Sequence, residues 1–330
     1  MDRPWGSPDA ATATVRLAVR GGLTECAPGA LVLVACSGGA DSRALAHAVA
    51  VEAPEQGLRA GAVIVDHGIR PESATEAAVV AADLAADGLY PVDVVPVEVV
   101  AGSAGLEAAA RDARYAALDG AAERHGALLV LLGHTLEDQA EQVLLGLARG
   151  SGARSLSGMP AARGRHRRPL LGVTHAQTSA SCHEQGLRVV EDPMNRDPAF
   201  ARVRARHLLL DLEEQLGPGV VAGLARSASL LREDADHLDG LADVEVDRLG
   251  AGPWPVMVLG AIPVAVRSRV WRRALLAAGV RAGSLGSRHV DACDRLLTHW
   301  HGQGPVHVPG GLLVRRSDDW VRIEPRPRVE

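Results

Sequence analysis

Leu31-Val32-Leu33-Val34-Ala35-Cys36-Ser37-Gly38-Gly39-Ala40-Asp41-Ser42 is the stretch from which the rest of the chain is read. An apolar run of leucine and valine ends in a polar segment with two adjacent glycines, and the alanine-rich stretch Arg43 to Val51 follows. That order predicts a strand, a tight turn and a helix start. Gly38 and Gly39 let the backbone turn with no side chain in the way of a ligand, and the first N–H groups of a helix have no partner inside it. With the hydroxyls of Ser37 and Ser42 they form a cradle suited to a phosphate chain. The loop of kinases and GTPases ends in Gly-Lys-Ser/Thr and uses its lysine on the terminal phosphates. This chain has no lysine, so every basic side chain is arginine, which argues against that kind of loop. A glycine turn without a ligand is the other reading of these residues taken alone.

With 330 residues the chain is long enough for two domains, because single cores stop growing at about 250–300 residues. An apolar content of 47 % fits a globular protein, and a net charge of −5 gives no overall basic footprint, so a nucleic-acid partner has to be held by local arginines. Aromatics make up 2 %, which leaves few platforms for stacking bases. Cys26, Cys36, Cys182 and Cys293 show no Cys-x-x-Cys pair, which argues against a disulfide framework, a zinc ribbon or an iron–sulfur site. No run approaches the roughly 20 apolar residues that cross a bilayer, and the first residues lack the pattern of a signal peptide. The expectation is a cytoplasmic protein with no membrane partner.

Short apolar runs alternate with alanine-rich helical stretches at Leu31 to Ala35, Ala62 to Val65, Val92 to Val97, Leu128 to Leu132 and Arg188 to Val190. Alternation of this kind predicts an α/β domain, a parallel sheet with helices on both faces. Ligands on such sheets bind at the carboxyl ends of strands. Four polar segments fall there: Ser37 to Ser42, Asp66-His67-Gly68, Gly133-His134-Thr135 and Glu191-Asp192-Pro193. Residues 151–169 are broken by glycine and proline and collect Arg154, Arg163, Arg165, Arg167 and Arg168, which reads as an exposed basic loop, either plain solvated surface or a patch for RNA phosphates. Phe200 to Leu216 reads as an amphipathic helix with Arg202, Arg204 and Arg206, and Gly217-Pro218-Gly219 breaks it. The predicted domains are therefore 1–216 and 217–330. The second is a smaller mixed α+β unit, with helices over Val220 to Leu249, Val266 to Ala278 and Arg288 to His301, then a short antiparallel unit with turns at Pro309-Gly310-Gly311 and Ser317-Asp318-Asp319. Glu324 to Pro327 reads as a loose end.

Three groups of side chains are candidates for chemistry. His134, Asp138 and Glu141 are spaced four and three apart at a predicted helix start and so share a face, which is either plain solvated surface or, beside the glycine turn, a place where two carboxylates can hold the ammonium groups of an amino acid or take up a proton from an amine. Arg111 and Arg114 lie three apart, with Glu107 four before Arg111; they are either part of a surface ion pair or a fork for phosphate. Asp66 closes an apolar strand and Arg70 follows it, either as a simple cap or as part of a nucleotide pocket. No metal-ligand spacing such as His-Glu-x-x-His exists.

Taken in order, these segments resemble the pyrophosphate-loop ATP pyrophosphatases and, among them, the tRNA(Ile)-lysidine synthetase family. Ser-Gly-Gly-x-Asp-Ser at 37–42, Asp66-His67-Gly68-Ile69-Arg70, Leu106 to Tyr115, His134 to Glu141, Arg149 to Gly152, Arg168-Pro169-Leu170-Leu171 and Asp192 to Asp197 carry the resemblance, over about residues 31 to 210. Two departures stand out: Arg202-Val203 where the family often has Arg-Asn, and Asp211 where a proline commonly ends the helix. The resemblance implies an adenine nucleotide α-hydrolase-like fold and a two-step ligation using ATP and Mg2+, with free L-lysine and the tRNA(Ile) with a CAU anticodon as partners. It implies Ser37, Gly38, Gly39, Ala40, Asp41, Ser42 and Asp66 at ATP, with Asp41 toward Mg2+. Arg111 and Arg114 then face the adenylated intermediate, Asp138 and Glu141 the lysine, and His134 the same pocket. Arg202, Arg204, Arg206, Arg167 and Arg168 are implied contacts to RNA or phosphate. A homodimer stays open. The rivals are a tRNA thiolase, against which the lack of paired cysteines counts, an NAD- or GMP-synthetase-like ligase, and a nucleotide sensor without turnover.

Overall fold

The computed structural model describes residues 9–68, 72–98, 106–150 and 152–327, without the side chains of 106–108 and 195–196. Arg70, Ser151 and the side chains of Glu107, Asn195 and Arg196 therefore lie outside the described residues.

Compact packing divides the chain at Leu230/Leu231. The first unit contains α1 (Ala10–Leu23), β1 (Leu31–Ala35), α2 (Ala40–Glu55), β2 (Arg59–Asp66), α3 (Ser73–Ala86), β3 (Val92–Pro96), α4 (Leu106–His125), β4 (Leu129–Leu132) and α5 (Leu136–Ala148). The short α6 (Ala153–Leu156), β5 (Ala162–Arg163) and β6 (His166–Arg167) follow, then α7 (His175–Glu184), α8 (Ala201–Leu216) and the start of α9 (Val220–Leu249).

Its sheet has the order β3-β2-β1-β4-β6-β5, parallel throughout except for β5. Because side chains alternate across a strand, each strand feeds two cores. Val32, Val34, Ala62, Ile64, Leu129 and Leu131 join the core that contains residues of α1, α2, α3 and α7. Leu31, Leu33, Val63, Val130 and Leu132 join Leu118, Ala121 and Ala122 of α4 in the core on the opposite face. This is why β1 and β4 read as unbroken apolar runs. From β1 the chain moves to β2 on one side, while β4 lies on the other, so the switch in strand order falls between the ends of β1 and β4.

Two expectations change. Arg188 to Val190 is not a strand: the Val190 N–H donates to Gly38 O and Arg188 O accepts from Arg43 Nε, so the segment straps the glycine turn instead of joining a ladder. The sheet ends instead in the β5–β6 hairpin, formed inside what reads as an exposed basic loop. There His166 and Arg168 are buried, while Arg163 stays exposed.

The second unit holds the rest of α9, β7 (Trp254–Pro255), α10 (Val256–Ala261), α11 (Val264–Ala277), α12 (Ser287–Thr298), β8 (Val306–Val308), β9 (Leu312–Ser317) and β10 (Trp320–Pro325). Its antiparallel sheet runs β7-β10-β9-β8. Trp254 and Trp271 meet edge to face at 6.3 Å in the core, and the buried Arg267 forks onto both oxygens of Asp294 at 2.6 and 3.0 Å. Glu324 and Pro325 belong to β10 and the Arg326 N–H donates to Gly311 O, so that end is tied down. The first turns of α9 pack with the first unit: Ala228 is fully buried, and its Cβ would lie 3.3 Å from a Cβ placed on Gly158.

Candidate active site

The turn after β1 is closed by its own hydroxyls. Ser42 Oγ donates to Gly39 O at 2.9 Å and accepts the Ser37 N–H at 3.1 Å, which curls the loop around the first turn of α2. Gly38 has φ +89°, and a Cβ there would meet Val80 at 2.9 Å and Val190 at 3.2 Å, so conformation and space both demand glycine. Gly39 is the N-cap of α2 in ordinary extended backbone, and the free N–H groups of the first turn follow it. Asp41 projects from that turn to α7, where Thr178 Oγ1 donates to Oδ1 and His175 Nδ1 stands 2.8 Å away. The hydrogen bond to Asp41 raises the His175 pKa against the opposing effect of burial.

The end of β4 touches this turn. A Cβ on Gly133 would lie 3.1 Å from backbone atoms of Asp41 and Ser42, so the helix start sits directly against the β4 end. His134 follows; it is 8 % exposed and its Nδ1 has no partner. Burial, together with Arg114, Arg202, Arg168 and Arg111, holds its pKa well below the ordinary imidazole value, so it is neutral. Thr135 caps α5, and its N–H donates to Asp138 Oδ2 at 2.9 Å. Burial raises the Asp138 pKa and Asp41 adds to the effect, against the pull of Arg202, the Thr135 amide and Arg206. Glu141 is fully enclosed: Oε1 accepts Arg206 Nε at 2.8 Å, while Oε2 is buried without a partner. Its pKa is also raised, by burial first, which outweighs Arg206.

Arg111 and Arg114 reach the same region from α4. The Cζ atoms of Arg111 and Arg114 lie 5.1 and 5.7 Å from the Tyr115 ring centroid, and Arg114 Nε is buried without a partner. Burial lowers the Arg114 pKa, with Arg111 and Arg202 acting in the same direction. Asp66 accepts the Gly68 N–H at 2.9 Å and so caps the end of β2. The neighbouring His67 has a buried, unpartnered Nδ1 and a pKa lowered by burial and by Arg114.

The five implied RNA contacts separate. Arg202 and Arg206 act on the Asp138–Glu141 pair. Arg204 donates to Pro198 O and Ala199 O, bracing the turn before its own helix. Arg167 donates within its hairpin to Gly164 O and His166 O. Arg168 is 3 % exposed and is bound to Pro160 O and Tyr115 Oη, so its side chain faces inward, contrary to the expectation of a surface contact. His67, Tyr115, His175 and Thr178 were not among the predicted site residues. A sequence signal for the last two existed: Thr174-x-x-Gln177 is a capping-box pattern that places His175 at a helix start, and Gln177 Oε1 does accept the Thr174 N–H at 2.9 Å.

A glycine turn and helix start at the switch point of a parallel sheet is the arrangement of nucleotide-binding α/β domains, and the family model described as the PP-loop domain matches residues 18–213, which makes this unit a PP-loop domain. The TilS substrate binding domain matches residues 255–322. A tRNA(Ile)-lysidine synthase of Streptomyces coelicolor is 54 % identical over 303 residues, covering 89 % of this chain and 86 % of that protein. One from Thermobifida fusca is 51 % identical, covering 96 % and 98 %. The chain belongs to the tRNA(Ile)-lysidine synthase family. Among solved structures, a U34-tRNA thiolase from Methanococcus maripaludis matches with a TM-score of 0.56 at 17 % identity, over 68 % of this chain and 80 % of that one, a likeness of fold. Among the described residues no helix is long and apolar enough to cross a membrane.

Proposed function

We propose that the chain ligates free lysine to carbon 2 of the wobble cytidine of tRNA(Ile) with a CAU anticodon, releasing AMP and pyrophosphate and switching codon reading from AUG to AUA. The observation that carries this reading is the grouping, at one switch point, of the phosphate turn, an arginine pair, the buried Glu141 carboxyl and the half-buried Asp138 carboxyl, both with raised pKa, in a chain of this family. In the first step the cytidine O2 attacks the α-phosphorus of ATP and pyrophosphate leaves. The loop N–H groups and the Ser37 and Ser42 hydroxyls receive the departing pyrophosphate, and Arg111 and Arg114 offset the charge on the α-phosphate. In the second step the lysine ε-amine attacks carbon 2 and AMP leaves.

Asp138 is the more accessible of the two acids and holds the ammonium directly. Glu141 lies behind it, engaged with Arg206. A carboxylate whose pKa is raised toward neutrality is also better placed to accept the proton that the attacking amine sheds. The unpartnered atoms His134 Nδ1, His67 Nδ1, Arg114 Nε and Glu141 Oε2 fit a site whose hydrogen bonds are completed by polar substrates. Among the described residues no three His, Cys, Asp or Glu side chains group as a metal site. Asp41 as a lone carboxylate ligand fits Mg2+, which is usually held largely by substrate phosphates and water. The ion would supply charge neutralisation at the leaving pyrophosphate.

The test is incorporation of radiolabelled lysine into unmodified tRNA(Ile) with a CAU anticodon, with ATP and Mg2+, and the methionine tRNA bearing the same anticodon as control. Label on the isoleucine tRNA alone supports the reading. Pyrophosphate release without label overturns the choice of lysine as nucleophile.

A further inference from the structure

Arg111 and Arg114 present a physical difficulty. Two guanidinium groups on one helix face repel each other, and one of them is buried enough for its pKa to fall. Tyr115 sits against both. Its ring has Arg111 at 5.1 Å and Arg114 at 5.7 Å, distances at which an aromatic quadrupole attracts a cation. Its hydroxyl oxygen accepts Arg168 Nη2 at 2.9 Å and lies 3.5 Å from Arg111 Nη2.

The ring is itself anchored from the hairpin side. The His166 imidazole meets it edge to face at 4.9 Å, and His166 belongs to β6, which pairs with β4 at Val130. Arg168 is fixed in turn through Pro160 O. From these contacts we infer that Tyr115 is the positioning residue of the arginine pair, a clamp that sets Arg111 and Arg114 side by side and ties them to the β5–β6 hairpin. This rests on the reading of Arg111 and Arg114 as contacts to the adenylated cytidine.

The electrostatics agree with the geometry. Burial raises the phenol pKa, yet Arg168, Arg111 and Arg114 outweigh it and the net direction is down, as for an oxygen surrounded by cations. The otherwise puzzling burial of Arg168 has a purpose on this account: it transmits the hairpin's position to α4 through one oxygen.

The test uses the full chain and reads tRNA-dependent pyrophosphate release, lysine incorporation and the melting temperature together. Tyr115→Phe keeps the ring and removes the oxygen, so kcat for pyrophosphate release should fall about fivefold. Tyr115→Leu removes both and should lower kcat about fiftyfold. In both variants KM for lysine should stay unchanged. On an Arg111→Ala background the Tyr115→Leu effect should shrink markedly, because a clamp has less left to hold. Wild-type kcat in the Leu variant, a full independent effect on the Arg111→Ala background, or a loss that merely follows a lower melting temperature would each overturn the proposal. A wild-type chain that releases pyrophosphate without forming lysidine would sink the lysine reading and leave this one measurable.

Discussion

The Asp138 carboxylate accepts the N–H of Thr135, the residue that caps its own helix, while facing Arg202 and Arg206, so a change here risks disturbing the fold as well as the proposed substrate contact. Asparagine keeps one oxygen for the Thr135 amide, removes the charge and puts an NH2 donor in place of the other oxygen. Asp138→Asn should therefore raise KM for lysine well above any change in KM for ATP, by about tenfold or more, as expected for a charge-assisted contact. Steady-state kinetics with each substrate varied separately will show this, and equal effects on both would point to a structural fault. The pH dependence has a definite sign. Asp138 and Glu141 have raised pKa values, so on acidification they lose charge at a higher pH than ordinary carboxylates, which titrate near 4. KM for lysine should rise as pH falls through that raised range, and Asp138→Asn should flatten the limb. The same shift bears on stability: the two protonated carboxyls favour the fold below the unfolded-state value, and that contribution is lost as pH rises through the folded-state values. Residue types and spacing made Asp138, Glu141, Arg111 and Arg114 visible in the sequence. The surroundings of His67 and the inward turn of Arg168 were not, because Arg114 stands 47 positions from His67, Tyr115 stands 53 from Arg168, and the other partner of Arg168 is the Pro160 backbone carbonyl.

At the level of elements, the contact between the end of β4 and the start of α2 sets the phosphate turn. Gly133 permits it: the atoms a Cβ would meet at 3.1 Å are backbone of Asp41 and Ser42, which have little freedom to give way. Gly133→Ala should cost about 1–3 kcal/mol of overpacking. Part of that cost should appear as a severalfold higher KM for ATP, with KM for lysine less affected. Urea unfolding together with ATP kinetics checks both halves. Strands β1 to β4 were legible because each is a leucine- or valine-rich run bounded by turn residues. The β5–β6 hairpin was not, since two-residue strands of Ala-Arg and His-Arg carry no apolar pattern. Arg188 to Val190 has the composition of a strand, but its backbone groups are spent on Gly38 and Arg43. Helix α1 was not anticipated, although Val15, Val19 and Leu23 repeat every four residues and are all fully buried. Helices α9, α11 and α12 and the three strands β8 to β10 lie close to where periodicity and the Pro-Gly-Gly and Ser-Asp-Asp turns placed them, whereas α10 and β7 were not anticipated.

For the whole molecule, a net charge of −5 means that an RNA substrate meets local arginines and no general attraction. KM for the tRNA should accordingly rise with salt on a log–log plot, with a slope set by the few phosphates contacted, whereas KM for ATP changes little. A titration of potassium chloride at fixed Mg2+ measures both, and a tRNA KM indifferent to salt would remove the arginines from RNA binding. The cations around the site, Arg111, Arg114, Arg168, Arg202 and Arg206, share one further property: each is a delocalised guanidinium and none is a primary amine. On the proposed chemistry the activated cytidine awaits a primary amine, and a chain without a single lysine carries no side-chain amine to intercept it. The catalyst is thereby spared from becoming its own substrate.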